Sequence, residues 1–476
     1  MRISTHLTIL NTMTIRSTVT KISAFVLLII ILITGIFIYQ NHQNSIDPEI
    51  DQLFSVEEIP RFDIKSKSSI TYYGKYYDAD FSLKDEDFSG KIKTRGNTSQ
   101  SLAEKYDAPF AYRIKLEKKK SLLGLDAGKT YILLPHFVDT SIRQFYHLNL
   151  AHYLLKDSSW SSRAKFVEVY LNDEYAGLYV LAEAISESEA RINYKNDLGF
   201  IVEMDLQGKA PLSTETYIKN DTFSIDYKVD TIRYDNDEAI KQPANVAFLL
   251  TDPDEFGETT EEHQKYIIQT LENLYKDIAA QKPIDELNID LDSFVYYFLM
   301  HEIAGDYGSG SNSVYYWNDG KKTHAGPFWD TDFLTHNYIT TESMLNIDTY
   351  TKNPLYVNLF KNPEYKAKYI EAYTIFYNNT APNLKRVLLK LKDNKVLKAA
   401  WEKNMERYQR LSGKYDGLYF AQNENIESRK TFEEQIDYII GFYFDGFTGT
   451  TFWEDQPEEK YFEPRLKWLN EHIREW

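Results

Sequence analysis

The chain has 476 residues, 43% of them hydrophobic and 15% aromatic, enough to bury one large core or two lobes beside a cleft, and this excludes a disordered protein. A formal net charge of −17 argues against a nucleic-acid binder, because affinity for the phosphate backbone needs a basic surface that releases counterions. With no cysteine there can be no disulfide, no thiolate zinc site and no cysteine nucleophile.

Residues 22–39 form an almost uninterrupted apolar run, close to the roughly 20 residues a helix needs to cross a bilayer. It reads as a membrane span or a long signal sequence. Thr34 and Gly35 make a poor cleavage site, which favours an uncleaved single-pass anchor. Arg2, Arg16 and Lys21 precede the run and Asp47, Glu49 and Asp51 follow it, so the positive-inside bias assigns residues 1–21 to the cytoplasm. On this reading a linker at residues 40–60 leads to an extracytoplasmic domain, membrane-anchored through the N-terminal helix.

Residues 61–210 then read as a β-rich lobe. The segments at 69–83, 89–97 and 110–117 are rich in β-branched and aromatic residues. A helix is expected at 140–155, with Ile142, Phe145, Leu148, Leu150 and Leu154 roughly on one face and Thr140 or Ser141 as cap. Strands at 164–172 and 175–185 follow, joined by a tight hairpin at Asn172, Asp173 and Glu174. From about residue 255 long helical patterns take over, at 261–280, 291–304 and most of 353–410, so residues 211–476 read as a helical lobe. The expected fold class is α+β, a divergent two-lobed arrangement with a cleft between a β-rich and a helical lobe.

The stretch 301–333 is the most informative chemically. Its helix ends at Gly305, Asp306 follows on a turn with Asn312 six residues on, and Asp330 and Asp332 come after a strand at Trp329. Phosphoryl transfer needs this combination: a carboxylate to accept the proton of the attacking hydroxyl, and an Asn and another Asp to hold a metal against the phosphates. Hard oxygen ligands suit magnesium or manganese. Each of these acids taken alone could equally cap a helix or close a turn. On the β side, Arg113 and Lys115 face the same way along their strand and could hold phosphates or simply meet solvent. Arg95, in the turn from Arg95 to Ser99, could hold an anion or close a hairpin. Glu183, at a strand end between the lobes, lies where a strand edge could pair with an adenine ring, or could be an exposed strand end. A carboxylate-based hydrolase using Asp330 and Asp332 is disfavoured, because two acids two residues apart on a strand point the same way and leave little room for a sugar ring.

In their order and spacing these segments resemble the CotH (spore coat protein H) kinase family, from about Lys91 to about Arg410. The resemblance is carried by KTRGNTSQ around Arg95, by APFAYRIKLEKKKSLLGL around Lys115, and by the helix entry with Leu134, Asp139 and Arg143. It is carried further by FVEVYLNDEYAGLYVLAEAI, by GFIVEMD with Glu203 and Asp205, and by Asp306, Asn312 and the run Trp329 to Asp332. It implies a divergent protein-kinase-like fold that uses ATP and Mg2+ (or Mn2+) to phosphorylate serine or threonine on a protein substrate, at the cell surface or spore coat. Carried over by motif, Asp306 is the catalytic aspartate, Asp330, Asn312 and Asp332 hold metal, and Lys115, Arg95 and Glu183 bind nucleotide. A basic, Ser/Thr-rich substrate would suit the acidic chain. The sequence departs from the family where Phe333 follows the acidic pair in place of glycine, and in an insert at 209–253 without an assigned place. The alternative implied by these departures is a pseudokinase or binding protein that keeps the fold.

Overall fold

The computed structural model describes residues 45–70, 74–96, 100, 103–104, 109–136, 141–194, 196–206, 213–235, 238–253, 256–306, 313–330, 341–345, 353–408, 431–450 and 459–476. Among them no helix is long and apolar enough to cross a membrane. That finding corrects the expectation of a single-pass anchor with an extracytoplasmic domain; the run at 22–39 itself lies outside the described residues. Within the expected linker a short helix, α1 (Pro48–Phe54), begins where Asp47 accepts the Glu49 backbone N–H at 2.9 Å.

Seven strands, β1 (Arg61–Ser66), β2 (Tyr77–Leu83), β3 (Glu86–Arg95), β4 (Ala111–Lys120), β5 (Gly128–Pro135), β6 (Ala164–Leu171) and β7 (Glu174–Glu183), close into a barrel in the order β1-β2-β3-β4-β5-β7-β6. The expected β-rich lobe is therefore a closed barrel. All its pairings are antiparallel except β1 with β6, where Arg61 to Ile64 run parallel to Glu168 to Leu171 and seal the ring. Alternation decides what lies inside: Ile64, Phe81, Ile92, Ile114, Leu133 and Val169 are buried in one shared cluster, each contributing about 1.5–3 kcal/mol by leaving water. β3 and β4 approach so closely that a Cβ on Gly90 would stand 2.4 Å from the Lys115 carbonyl oxygen, so only glycine fits there. The β6–β7 hairpin turns at Asn172 and Asp173, both at positive φ (50° and 72°), as expected of a tight primed turn.

Helix α2 (Ser141–Leu155) matches the expected segment, and Thr140 lies outside the described residues. It is buried nearly all round, polar Arg143, Gln144, His147 and Asn149 included, instead of along one face. The reason is its position, wedged between the barrel strands β5, β6 and β7 on one side and a later helix, α4, on the other. Asn149 answers for its burial by exchanging hydrogen bonds with the Ala164 backbone, donating at 3.2 Å and accepting at 3.1 Å.

Beyond the barrel the chain is less purely helical than its sequence suggests. Strands β8 (Phe200–Met204), β9 (Ile218–Lys219), β10 (Thr222–Asp235), β11 (Glu238–Asp252), β12 (Val314–Asn318) and β13 (Thr323–Ala325) form a second, antiparallel sheet in the order β13-β12-β8-β11-β10-β9. The unplaced insert is thus the long β10–β11 hairpin together with β9. Helices α3 (Glu261–Ala279) and α4 (Leu291–Ala304) follow, capped by Thr260 and Asp290, whose side chains accept the His263 and Ser293 backbone N–H. Then come α5 (Pro354–Leu359), α6 (Pro363–Ile375), α7 (Ala381–Lys392), α8 (Lys395–Tyr408), α9 (Phe432–Ile440), a hairpin of β14 (Phe447–Thr450) and β15 (Glu459–Phe462), and α10 (Arg465–His472). The molecule is a mixed α+β protein in which a barrel and a sheeted, helical part replace the expected two-lobe division.

Candidate active site

Asp306 is placed by the end of α4. Gly305 takes the left-handed conformation (φ 65°), its N–H bonds the Glu302 carbonyl, and the next N–H, that of Asp306, bonds the His301 carbonyl at 3.1 Å. This closure turns the Asp306 side chain back to His301, whose Nδ1 lies 2.6 Å from Asp306 Oδ2, with both side chains buried. A carboxylate only accepts, so the ring donates. The imidazole is held edge-on to Tyr297 (centroids 4.6 Å apart) and against Phe328 (4.8 Å).

Tyr297 carries the site across to the second sheet, its hydroxyl accepting the Tyr315 backbone N–H at 3.1 Å. Tyr315 on β12 stands opposite Glu203 on β8, with Met204 opposite Val314. Burial first, and then the charge of Glu203 and its hydrogen bond, push the Tyr315 hydroxyl well above its usual range; Arg95 is near enough to pull it back and Asp330 to push it further. Ser313, just before β12, donates its hydroxyl to Asp330 at 3.0 Å and approaches Glu203 at 3.3 Å. Ser313 and Asp330 both adopt positive φ, 54° and 65°, a conformation uncommon for serine and better tolerated by aspartate. The guanidinium of Arg95 lies 5.8 Å over the Trp329 ring, which brings the end of β3 to the same place.

Of the expected residues, Asp330 bonds Ser313 beside Glu203 and follows Trp329, over which Arg95 lies, and Asp306 is joined to this group through His301 and Tyr297. Asn312 and Asp332 lie outside the described residues, and so does Asp139. Asp330 follows an irregular segment, since the strand expected at Trp329 ends at Ala325. Lys115 is exposed on the outer face of the barrel opposite Lys91, and half-buried Arg113 stands opposite Lys93. Like charges directly across a ladder repel. Glu183 is completely buried. Its carboxylate accepts the backbone N–H of Asp126 and that of Arg163 (2.6 Å) and meets the Arg163 guanidinium at 3.2 Å. It closes one end of the barrel, in place of the exposed strand end or adenine contact that the sequence leaves open.

Sequence reasoning assigns no role to Glu203, Ser313 or Tyr315. Glu203 had a signal: a carboxylate inside the apolar run Phe200 to Met204 is seldom buried without a partner or a task. For Ser313 no signal exists, because its backbone conformation is imposed by the fold.

Glu183 also supplies a pH dependence. Burial, opposed by Arg163 and reinforced by Asp126, raises its carboxyl from 4.5 to about 7. The folded chain thus binds the proton more tightly than the unfolded one, so this contribution to stability is present below pH 4.5 and is lost as pH rises towards 7. Denaturant unfolding between pH 4.5 and 7.5 should show a loss of up to about 3 kcal/mol that is absent in Glu183→Gln. Equal slopes for wild type and variant would show that Glu183 titrates normally.

The donor set of Asp330, Glu203 and the Ser313 hydroxyl is made of hard oxygens, which fits magnesium or manganese. Among the described residues no group of three or more His, Cys, Asp or Glu side chains forms a metal site by itself. The described residues form a mixed α+β fold whose candidate site holds carboxylates and a hydroxyl with Arg95 close by. The chain belongs to the CotH kinase protein family, whose model matches residues 92–444, well over half of its length. No curated protein matches the chain.

Proposed function

We propose that this protein transfers the γ-phosphoryl group of ATP to a serine or threonine hydroxyl of a protein substrate. The observation that carries the reading is the grouping of Arg95, Glu203, Ser313 and Asp330, drawn from three stretches of chain, with Asp306 joined to them through His301 and Tyr297, in a family of kinase type. The substrate hydroxyl oxygen bonds to the γ-phosphorus as the bond to the ADP oxygen breaks, and the hydroxyl proton passes to the Asp306 carboxylate. Asp330 and Glu203, with Asp332 and Asn312, would hold a divalent metal, which supplies charge neutralisation at the phosphates when bound. Arg95 orients the phosphate chain, and the outer row of Lys93, Arg113 and Lys115 draws the nucleotide in. A substrate segment rich in Lys or Arg beside its Ser or Thr suits a chain of net charge −17.

The test is transfer from γ-labelled ATP to a basic protein acceptor by the full-length chain, with magnesium or manganese and then with EDTA. Wild type should transfer label and lose this with EDTA, and Asp330→Ala should fall by at least about a hundredfold. Nucleotide binding with no transfer by wild type would identify a pseudokinase.

A further inference from the structure

The His301–Asp306 contact does more than the fold requires. His301 is 1% exposed, and among the described residues its Nε2 is buried without a hydrogen-bond partner. A buried polar nitrogen left unpaired costs about 1–3 kcal/mol, a cost that leucine, of similar volume, would avoid in this apolar setting. What the imidazole supplies in return is one directed donor, Nδ1–H, to Asp306 Oδ2 at 2.6 Å. The ring cannot turn away, because Tyr297 meets it edge-on at 4.6 Å and Phe328 packs on it at 4.8 Å. Tyr297 in turn bonds β12, and Phe328 lies two residues before Asp330, so the same ring ties Asp306 to both remaining sides of the site.

We infer that His301 is a positioning residue, fixing the rotamer of the Asp306 carboxylate by its Nδ1–H so that the substrate hydroxyl meets a preset proton acceptor. The inference rests on the reading of Asp306 as that acceptor. Misplacing a reacting group by about 1 Å costs up to about a hundredfold in rate while leaving ground-state binding intact. His301 therefore acts on kcat and leaves the KM for ATP alone.

Asparagine and glutamine separate positioning from packing, since Asn carries its N–H where Nδ1 stands and Gln carries it where Nε2 stands. Full-length wild type, His301→Asn, His301→Gln and His301→Leu are compared for kcat, KM for ATP and Tm. His301→Asn should keep kcat within about fivefold of wild type, and Gln and Leu should lose about 30- to 100-fold with KM for ATP unchanged. Asn and Gln variants of equal Tm and equally low kcat would overturn the inference, as would a Leu variant of wild-type kcat. A wild type that transfers no phosphoryl group would overturn the kinase reading itself, and the positioning role with it.

Discussion

Replacing Asp306 by asparagine is expected to lower phosphoryl transfer by about two to four orders of magnitude, the usual worth of a positioned general base. Asparagine is nearly isosteric and its carbonyl still accepts from His301 Nδ1, so the buried contact survives and only the proton-accepting capacity goes. Tm should stay within a few degrees and nucleotide affinity within a few-fold. Single-turnover transfer beside equilibrium nucleotide binding distinguishes loss of chemistry from loss of binding. Near-normal turnover would place the proton acceptor elsewhere, with Glu203 the next residue to replace. Asp306→Ala is the less informative variant, because it leaves the His301 donor buried and unpaired and so mixes catalysis with folding.

The second large effect is on stability. Glu302, on α4 next to His301, and Arg465, the first residue of α10, are both fully buried and form an ion pair at 2.7 Å. Arg465 also donates through Nε and Nη2 to the Glu302 carbonyl oxygen, at 3.1 and 2.9 Å. Glu302 accepts the Met344 backbone N–H and the hydroxyls of Ser343 and Tyr356, and Tyr356 meets Tyr369 at 2.7 Å. Burial pushes the Glu302 carboxyl upward, while Arg465 and these donors pull it back. Taking one partner away strands a charge in the interior and costs about 3–5 kcal/mol. Arg465→Met and Glu302→Gln should each lose that much in denaturant unfolding. The double variant should lose less than the two together by about 2 kcal/mol or more, the sign of a coupled pair. Additive losses would mean that the two residues stabilise the fold independently. Because Asp306 follows the Gly305 cap of α4, the singles should also lower the yield of active protein without changing its KM.

Much of the fold was legible because local rules dominate where elements are regular. Period-two alternation through Lys91 to Thr94 and Tyr112 to Lys115 identified β3 and β4, the Asn172–Asp173 pair identified the β6–β7 hairpin, and α3 and α4 ended almost where their patterns did. The β10–β11 hairpin was not read, since nothing local says that a polar, mixed-charge insert will find an edge of β8 to pair with. Barrel closure is likewise a long-range event, resting on the parallel pairing of β1 with β6 a hundred residues later. The expectation of a membrane anchor came from hydropathy, a poor cleavage site and flanking charges, and no described helix is long and apolar enough to cross a membrane.

What the sequence determined by itself was the family and the residue types available to a site: carboxylates without thiols, a Gly-Asp turn ending a helix, an acidic run after a tryptophan, and motifs in an order that belongs to one family. Residue type and short spacing suffice for that, because both are properties of the chain before it folds. Only the tertiary structure decided which of these groups meet. It brought Arg95 to Trp329, set Ser313 between Glu203 and Asp330, closed His301 onto Asp306, and took Glu183 into the barrel end. The physical reason is that proximity between residues far apart in the chain is fixed by packing and register, and a carboxylate acquires its role from the donors and charges that packing places around it.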